Sequence, residues 1–392
     1  MRWGTAAGQE SLFALNAIGK RRWLWWAICW GTAVLLAAPL GWRWFAFQGP
    51  FGPVAPPRPE PVIDIHCHTA GIGAGESGCF VSNSMRASYK FNLYLKSIGV
   101  DLGSLEAQGD RLIIQRIAER IRGSQWVSGA IVLAMDGVID SEGQLDRERT
   151  EFFVPNEFVY EQTALHPGLF WGASINPLRK DAIDRLDWAH AHGAKLVKWL
   201  PSVQLFDPGD DRHLEFYRKM VELDLPLLSH AGQERAFTHV NDEFGDPFKL
   251  RLALDTGVRV IVAHIASTGE HEGERDTDRL IELMGQYGNL YSDISSLTQV
   301  NKLGYLREAV SHSVFRERLF YGSDYPLINT AIVSPWLFSL NLEVGEMRRI
   351  AGIENPWDRD VELKRSLGVP PSVFERANRL IMKPGDLVSV RP

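Results

Sequence analysis

The sequence has little of what a disulfide scaffold needs. Only three of its 392 residues are cysteine. Cys29 lies in an apolar run, which leaves Cys67 and Cys79, and these pair only if the fold brings them together. Neither a reducing nor an oxidising compartment is excluded. Charge of one sign is also lacking: 42 Lys and Arg face 48 Asp and Glu, a net charge of −6. That balance gives no reason to expect nucleic acid or an acidic surface as partner. No Gly-x-Gly-x-x-Gly follows the first strand-like stretch, so a dinucleotide fold lacks its fingerprint. What is present, 45% hydrophobic and 23% charged residues, suffices for one large domain or two ordinary ones.

The 20 residues from Trp23 to Trp42 carry no charge. As a helix they span roughly 30 Å, the hydrocarbon thickness of a bilayer. Lys20, Arg21 and Arg22 precede the run and only Arg43 follows closely, which places the N-terminus in the cytoplasm. Trp23, Trp25, Trp26, Trp42 and Trp44 suit the two interfaces. A cleaved signal peptide competes with this reading, but no clear Ala-x-Ala site follows Ala37 and Ala38 and the leader is long. Pro50, Pro53, Pro56, Pro57, Pro59 and Pro61 then make an extended spacer. The expected plan is a cytoplasmic segment 1–22, a transmembrane helix or signal anchor 23–42, a Pro-rich linker 43–61, a domain 62–380 and a tail 381–392. It places that domain outside the cytoplasm, in the periplasm or extracellular space, on a single-pass membrane protein.

Beyond the spacer, short apolar runs alternate with helical patterns. The runs end at His68, Ala134, Ile175, Leu200, His230, His264, Asp293 and Asp324. Helical spacing covers 111–121, 182–190, 214–223, 247–254, 276–284 and 302–310. Strand alternating with helix is the signature of parallel α/β architecture. From Lys198 the polar residues 198, 230, 264, 293 and 324 recur at about thirty residues, one β-plus-α unit each. Eight units predict a closed (β/α)8 TIM barrel. The Gly-rich text after His68 starts no helix promptly and reads as a long loop at the mouth of the barrel. Loops 69–105 and 137–165 and the segment 326–372 are expected to carry specificity.

Residues two apart on a strand share a face, so His66 and His68 converge while Cys67 points away. His66, His68, His230, His264, Asp293 and Asp324 all fall at the C-terminal ends of expected strands, where barrel enzymes build their sites. Imidazole and carboxylate donors suit zinc or another divalent transition metal. Such an ion lowers the pKa of a bound water, and a neighbouring carboxylate or imidazole moves its proton. His166, His190, His192, His213, His239 and His312 sit in helical or loop text and read as ordinary histidines. His271 reads as a loop residue.

The motifs Asp64-Ile65-His66-Cys67-His68, Ser229-His230-Ala231-Gly232, Ala263-His264, Tyr291-Ser292-Asp293 and Tyr321-Gly322-Ser323-Asp324-Tyr325-Pro326, with Phe374 to Leu380 as a terminal helix, carry a resemblance. In this order they resemble the amidohydrolase superfamily, and within it the amidohydrolase-related branch that includes aminocarboxymuconate-semialdehyde decarboxylase. The resemblance implies that His66, His68, His230 and Asp324 ligate the metal, zinc by preference, as one ion or two. It implies that Asp324 also handles the proton of the metal-bound water. His264 would bind a second metal or act as acid/base and polarise the substrate. Asp293 would be structural or support the ligands. The branch more often has Lys-Leu-His-Pro where this chain has Lys198-Trp199-Leu200-Pro201. Lys198 is then a carbamate bridge, a cation for a substrate carboxylate or a salt-bridged core residue. Arg86, in the first loop, is a second candidate to clamp a carboxylate.

The leading expectation is a metal-dependent hydrolase acting on an ester, lactone or amide carbonyl of a small molecule. The alternative is non-oxidative decarboxylation of an unsaturated or aromatic acid. A third, from another class, is a non-catalytic membrane-tethered binding protein. The oligomeric state stays open, a homodimer included.

Overall fold

The eight expected strands are present and parallel. The computed structural model describes residues 60–388 and 390, together with 25–26 and 30–32. The strands are β1 (Val62–His68), β2 (Val127–Leu133), β3 (Leu169–Gly172), β4 (Val197–Trp199), β5 (Leu227–Ser229), β6 (Val260–Val262), β7 (Leu290–Asp293) and β8 (Leu319–Phe320). They form two parallel arcs, β1-β2-β3 and β4-β5-β6-β7-β8. Two seams close the arcs into a barrel. A parallel bridge Ala173–Val197 joins β3 to β4. The bridge Cys67–Tyr325 and the bonds from Ile65 N to Tyr321 O (3.3 Å) and His68 N to Tyr325 O (3.0 Å) join β1 to the chain beyond β8.

Helices follow the strands as expected, among them α1 (Arg111–Arg122), α2 (Asn156–Thr163), α3 (Ala182–Ala191), α4 (Leu214–Glu222), α5 (Arg251–Thr256), α6 (Asp276–Gln286), α7 (Tyr305–Ser311) and α8 (Pro356–Ser366). Alternation sorts each strand between two cores. Val132, Val197, Leu227, Val260 and Leu290 pack outward against the helices. Ile131, Leu196, Leu228, Ile261 and Phe320 fill the barrel. The expected tail does not stay apart from the barrel. A helix at Pro384–Val388 follows β8 and α8, and Met382, Leu387 and Val390 join the interior cluster. Lys195 Nζ to Asp386 Oδ1 (2.7 Å), Arg259 to Leu380 O, and Asn378 Nδ2 to Pro61 O (2.7 Å) tie this segment to the entry ends of β4, β6 and β1. It plugs the N-terminal end of the barrel, opposite the strand ends that carry the histidines.

Two further expectations are revised. The stretch after His68 is not a plain loop: it holds helices at Asn83–Ala87, Tyr89–Ile98 and Leu102–Gln108. Their apolar residues Phe91, Leu95, Ile98 and Leu105 are buried in the outer core, and Ser88 and Asp101 cap two of them. Cys67 and Cys79 are buried free thiols, not a pair. The expected membrane span 23–42 and the linker 43–61 lie for the most part outside the described residues. Among the described residues no helix is long and apolar enough to cross a membrane.

β1 departs from strict alternation. Ile63 and Ile65 face the interior, while Cys67 joins the outer core. Asp64 pairs with Ala130 and Cys67 with Val132, so β1 holds one more residue than β2 over that interval. This is a β-bulge, and it turns the strand by one position. The Asp64 carboxylate fastens it. Oδ1 accepts from His66 N (3.0 Å) and Ser323 N (2.9 Å), and Oδ2 from Ser323 Oγ (2.5 Å) and Trp357 Nε1 on α8 (2.8 Å). Asp64 is fully buried, so His66 N, Ser323 N and Trp357 Nε1 lose their acceptor if the carboxylate goes, and Ser323 Oγ keeps only the longer contact to His66 O (3.4 Å). Replacing one oxygen by an NH2 group turns it toward donors. Asp64→Asn is therefore expected to cost about 3 kcal/mol of stability, read from urea unfolding.

Candidate metal centre

The bulge delivers His66 and His68 together at the open end of the barrel. Ordinary alternation from the interior layer delivers Lys198, His230, Asp293 and Asp324, each two or four residues beyond an inward-facing position. His264 again needs a backbone device. His264, Ile265 and Ala266 run through three successive left-handed conformations, at φ of 55°, 52° and 50°. A β-branched residue rarely adopts this region. The turn is held by His264 N to Asp293 Oδ1 (2.9 Å), Ile265 N to Ser292 Oγ (3.0 Å) and Thr277 Oγ1 to Ile265 O (3.1 Å). Asp324 and Ser296 are also left-handed, at φ of 61° and 60°.

The donor atoms converge. His66 Nε2 lies 3.1 Å from His68 Nε2. Asp324 Oδ1 lies 3.3 Å from His68 Nε2 and 3.8 Å from His66 Nε2. Four donors set tetrahedrally about 2.0–2.2 Å from one ion stand about 3.3–3.6 Å apart. His264 brings a ring nitrogen within 4.8 Å of donor atoms on His66 and Asp324. The His230 ring packs edge-on to that of His264, with centroids 5.5 Å apart. His230 Nε2 is buried and has no hydrogen-bond partner.

Proton accounting shows which of these nitrogens keep a free lone pair. His66 Nδ1 lies 2.7 Å from Asp293 Oδ2, an acceptor. Nδ1 therefore carries the proton, and Nε2 offers a lone pair toward His68. His264 Nδ1 lies 3.1 Å from the Ser295 carbonyl, so it too carries the proton and leaves Nε2 free. Ser295 Oγ links the two rings, 3.0 Å from His66 Nδ1 and 2.7 Å from His264 Nδ1. Asp293 is thus the carboxylate that fixes the tautomer and aim of His66, which chooses between the two roles the sequence allowed. Gly322 leaves room for this ring: a Cβ there would sit 2.8 Å from His66 Cβ.

Electrostatics agree with ligation by neutral imidazoles. Burial, with Lys198 nearby, lowers the His66 pKa, and burial holds His230 and His264 well below the ordinary 6.5. Burial works to raise the Asp293 and Asp324 carboxyls, yet the surrounding histidines hold both well below the usual carboxylate range. The Ser296 hydroxyl donates to Asp324 Oδ2. This donor set fits a divalent ion.

The centre floors a cavity of about 560 Å³. Phe91, Tyr94, Met135, Phe152 and Phe237 give it apolar walls, and Lys198, Lys302 and Glu234 give it charge. Burial depresses the Lys198 ammonium to about 8. No carboxylate among the described residues lies within ion-pair distance of its Nζ. The sequence reading missed Lys302 and Glu234: Lys302 opens the expected helical stretch 302–310, and Glu234 sits in loop text without a motif. Glu234 Oε2 stands 3.7 Å from His230 Nε2, and burial raises its pKa.

Arg86 does not belong here. It ends the helix Asn83–Ala87, is exposed, and donates to Ile72 O at 2.7 Å. It is absent from the cavity wall, where Met85 of the same helix points in. A helix face, not a flexible loop, decides its direction. A second group of donors, Asp246, His271 and Asp276, also lies close together. There most positions are taken: Arg279 grips Asp246 at 3.0 and 2.8 Å, and His271 bonds Asp276 Oδ1 (2.6 Å) and Asp242 O (2.9 Å), which leaves Asp276 Oδ2 without a partner.

The family model described as amidohydrolase matches residues 106–352, well over half of the chain. The chain belongs to the amidohydrolase family. It is therefore an enzyme acting on a small molecule, in a superfamily of metal-dependent enzymes. The match begins after β1, so the placement of His66 and His68 rests on the geometry above. Among solved structures the chain is similar to an uncharacterised TIM-barrel protein from Bordetella bronchiseptica, at 15% identity and a TM-score of 0.48, covering 77% of this chain and 99% of that one. It is also similar to a proposed 2-pyrone-4,6-dicarboxylic acid hydrolase from Pseudomonas putida, at 15% and 0.49, covering 82% and 97%. A third is the IDCase of Metarhizium anisopliae, at 12% and 0.46, covering 82% and 97%. At such scores none of these likenesses bears on the reaction. No curated protein matches the sequence.

The lowered histidines of this amidohydrolase have a consequence for stability. A histidine whose folded pKa lies below its unfolded value binds fewer protons when folded, so stability falls as pH drops through 6.5. Each such group contributes a slope of up to about 1.4 kcal/mol per pH unit. The metal-free protein is expected to lose thermal midpoint steadily from pH 7 to 5. A His264→Gln variant should show a shallower decline.

Proposed function

We propose that this amidohydrolase is a metal-dependent hydrolase that uses a metal-activated water on an ester, lactone or amide carbonyl. His66, His68, His230 and Asp324 would hold one divalent ion, zinc by preference. The observation that carries the reading is the set of three donor atoms 3.1 to 3.8 Å apart at the floor of the cavity. When bound, the ion supplies Lewis acidity and lowers the pKa of a water to near neutrality. Asp324, ionised and steadied by Ser296, would hold a proton at a carboxylate oxygen, acting first as base and then as acid toward the leaving group. His264, with Nδ1 donated to Ser295, turns Nε2 to the cavity to accept or give a proton at the substrate. The apolar walls exclude bulk water and strengthen each of these contacts.

A second reading is non-oxidative decarboxylation of an unsaturated or aromatic acid. The observation favouring it is the buried Lys198 ammonium facing the cavity, ready to hold a carboxylate. Lys198 as a carbamate bridge to a second ion is the remaining role for this residue. We further propose that residues 23–42 anchor the enzyme and that its barrel faces the periplasm or extracellular space. The support is the charge-free run behind Lys20, Arg21 and Arg22.

Asp324→Asn keeps the size of the side chain but removes the base. It is expected to fold and to lower kcat by about 10²–10⁴-fold. Near wild-type turnover in this variant removes Asp324 from the chemistry. Release of CO2 against hydrolysis of a carbonyl substrate, measured on the same metal-loaded protein, separates the two reactions.

A further inference from the structure

His271 has no place in the chemistry derived so far, yet both of its ring nitrogens are bonded. It lies in the hairpin 270–275, beyond the left-handed run at His264, and is 8% exposed. Nδ1 lies 2.6 Å from Asp276 Oδ1, on the first residue of α6, and Nε2 lies 2.9 Å from Asp242 O. A carbonyl only accepts, so Nε2 carries a proton. Asp276 opens α6, where the helix dipole favours a carboxylate, and an ionised carboxylate only accepts as well. Nδ1 therefore carries a second proton, and the ring is an imidazolium. The two bonds together need both protons.

Asp242 belongs to the loop 230–246 beyond β5, which brings Gln233, Glu234 and Phe237 to the cavity wall. Its Oδ1 accepts from Glu234 N (3.0 Å), so the residue whose carbonyl His271 holds also holds the backbone of Glu234. Glu234 in turn stands 3.7 Å from His230 Nε2. Gln233 N to Thr268 O (2.9 Å) seats the same end of the loop on the chain beyond β6. The tip is fastened elsewhere, by Lys90 Nζ to Arg235 O (2.7 Å) and Thr238 N to Glu151 Oε2 (2.8 Å). The other charged groups around the ring are Asp246 of the loop, Arg279 of α6, and Glu272 and Glu274 of the hairpin. Arg279 engages all three of these carboxylates, which leaves Asp276 as the anion of the ring. Burial works against the charged ring, but its bonds to Asp276 and the Asp242 carbonyl hold its pKa above the ordinary 6.5. Burial raises the Asp276 carboxyl as well, against the pull of His271.

We infer that His271 is a positioning residue: as an imidazolium it clasps the loop beyond β5 and so sets Gln233 and Glu234 at the cavity wall, and the clasp opens when the ring loses a proton. A neutral ring has one N–H for two acceptors, so one contact becomes lone pair against lone pair. The ring binds more protons folded than unfolded. Its contribution is therefore complete below pH 6.5 and is lost as pH rises through the raised folded value. That is opposite in sign to His66, His230 and His264, whose lowered values weaken the fold toward acid. The inference is independent of the hydrolase reading, because it concerns how the cavity wall is held and not what reacts there.

The test is amide hydrogen exchange read by mass spectrometry on the metal-free, full-length protein from pH 5 to 9. Peptides covering 232–246 are compared with those of β5 and β6, with rates corrected for intrinsic chemistry and thermal midpoints as a folding control. In wild type the protection of 232–246 should fall at least tenfold from pH 6 to 9, while the strand peptides stay within threefold. His271→Gln should lack this change and exchange at the wild-type pH 9 level throughout. Asp276→Asn removes the anion and should move the transition lower by about one pH unit or more. Protection of the loop that is level with pH in wild type overturns the inference. So does a fall that persists in His271→Gln, or a transition that Asp276→Asn leaves in place. A fall shared equally by the strand peptides reports global unfolding and overturns it as well.

Discussion

The centre depends first on one extra residue in β1. Without the bulge between Asp64 and Cys67, the alternation begun by Ile63 and Ile65 would turn Cys67 into the barrel and both histidines outward. The Asp64 carboxylate that holds the bulge also holds Ser323, the residue before Asp324, and reaches α8 through Trp357. One buried anion therefore sets the phase of β1, the approach of β8 and the distance between His66, His68 and Asp324. Barrel closure serves the same end, because Asp324 N donates to His66 O at 2.9 Å. Three of the four proposed ligands come from the first and last strands, so they meet only when the barrel is shut.

A second layer tunes that arrangement. Asp293 accepts from His66 Nδ1 and from His264 N, and Ser295 lies between the two rings. The left-handed run at His264 is maintained by side chains of β7 and α6. Backbone strain of this kind persists only where surrounding contacts over-determine it. It brings His264 beside the ligands where alternation from Ile261 and Ala263 would not. Rigid strands thus place most of the site, and two local distortions place the rest.

Much of this was legible in the sequence. Period-two apolar runs marked the strands, and the polar residue closing each run marked its C-terminal end. His230 and Asp293 follow from alternation alone, and Asp324 from alternation together with a left-handed turn beyond β8. His66 and His68 were paired for a sound local reason, although the bulge that makes the pairing face inward leaves no signature in residue types. Arg86 was misplaced because the direction of a side chain on a short helix depends on what that helix packs against. The helices between His68 and α1 went unread because their start follows Gly-rich text. Lys302 and Glu234 were invisible since a lone charged residue at the start of a helical pattern or in a loop reads as solvated. Their burial comes from distant segments, Tyr89–Ile98 among them, that close over the barrel mouth. Met382, Leu387 and Val390 escaped as barrel residues for the same reason: nothing local says that a chain end will fill a hole.

The central claim is that one divalent ion sits among His66, His68, His230 and Asp324. Anomalous diffraction at the zinc edge from crystals of the zinc-loaded protein tests it most directly. A single strong peak at about 2.0–2.2 Å from His66 Nε2 and His68 Nε2 is expected. No peak there, or a peak confined to Asp246, His271 and Asp276, would contradict it.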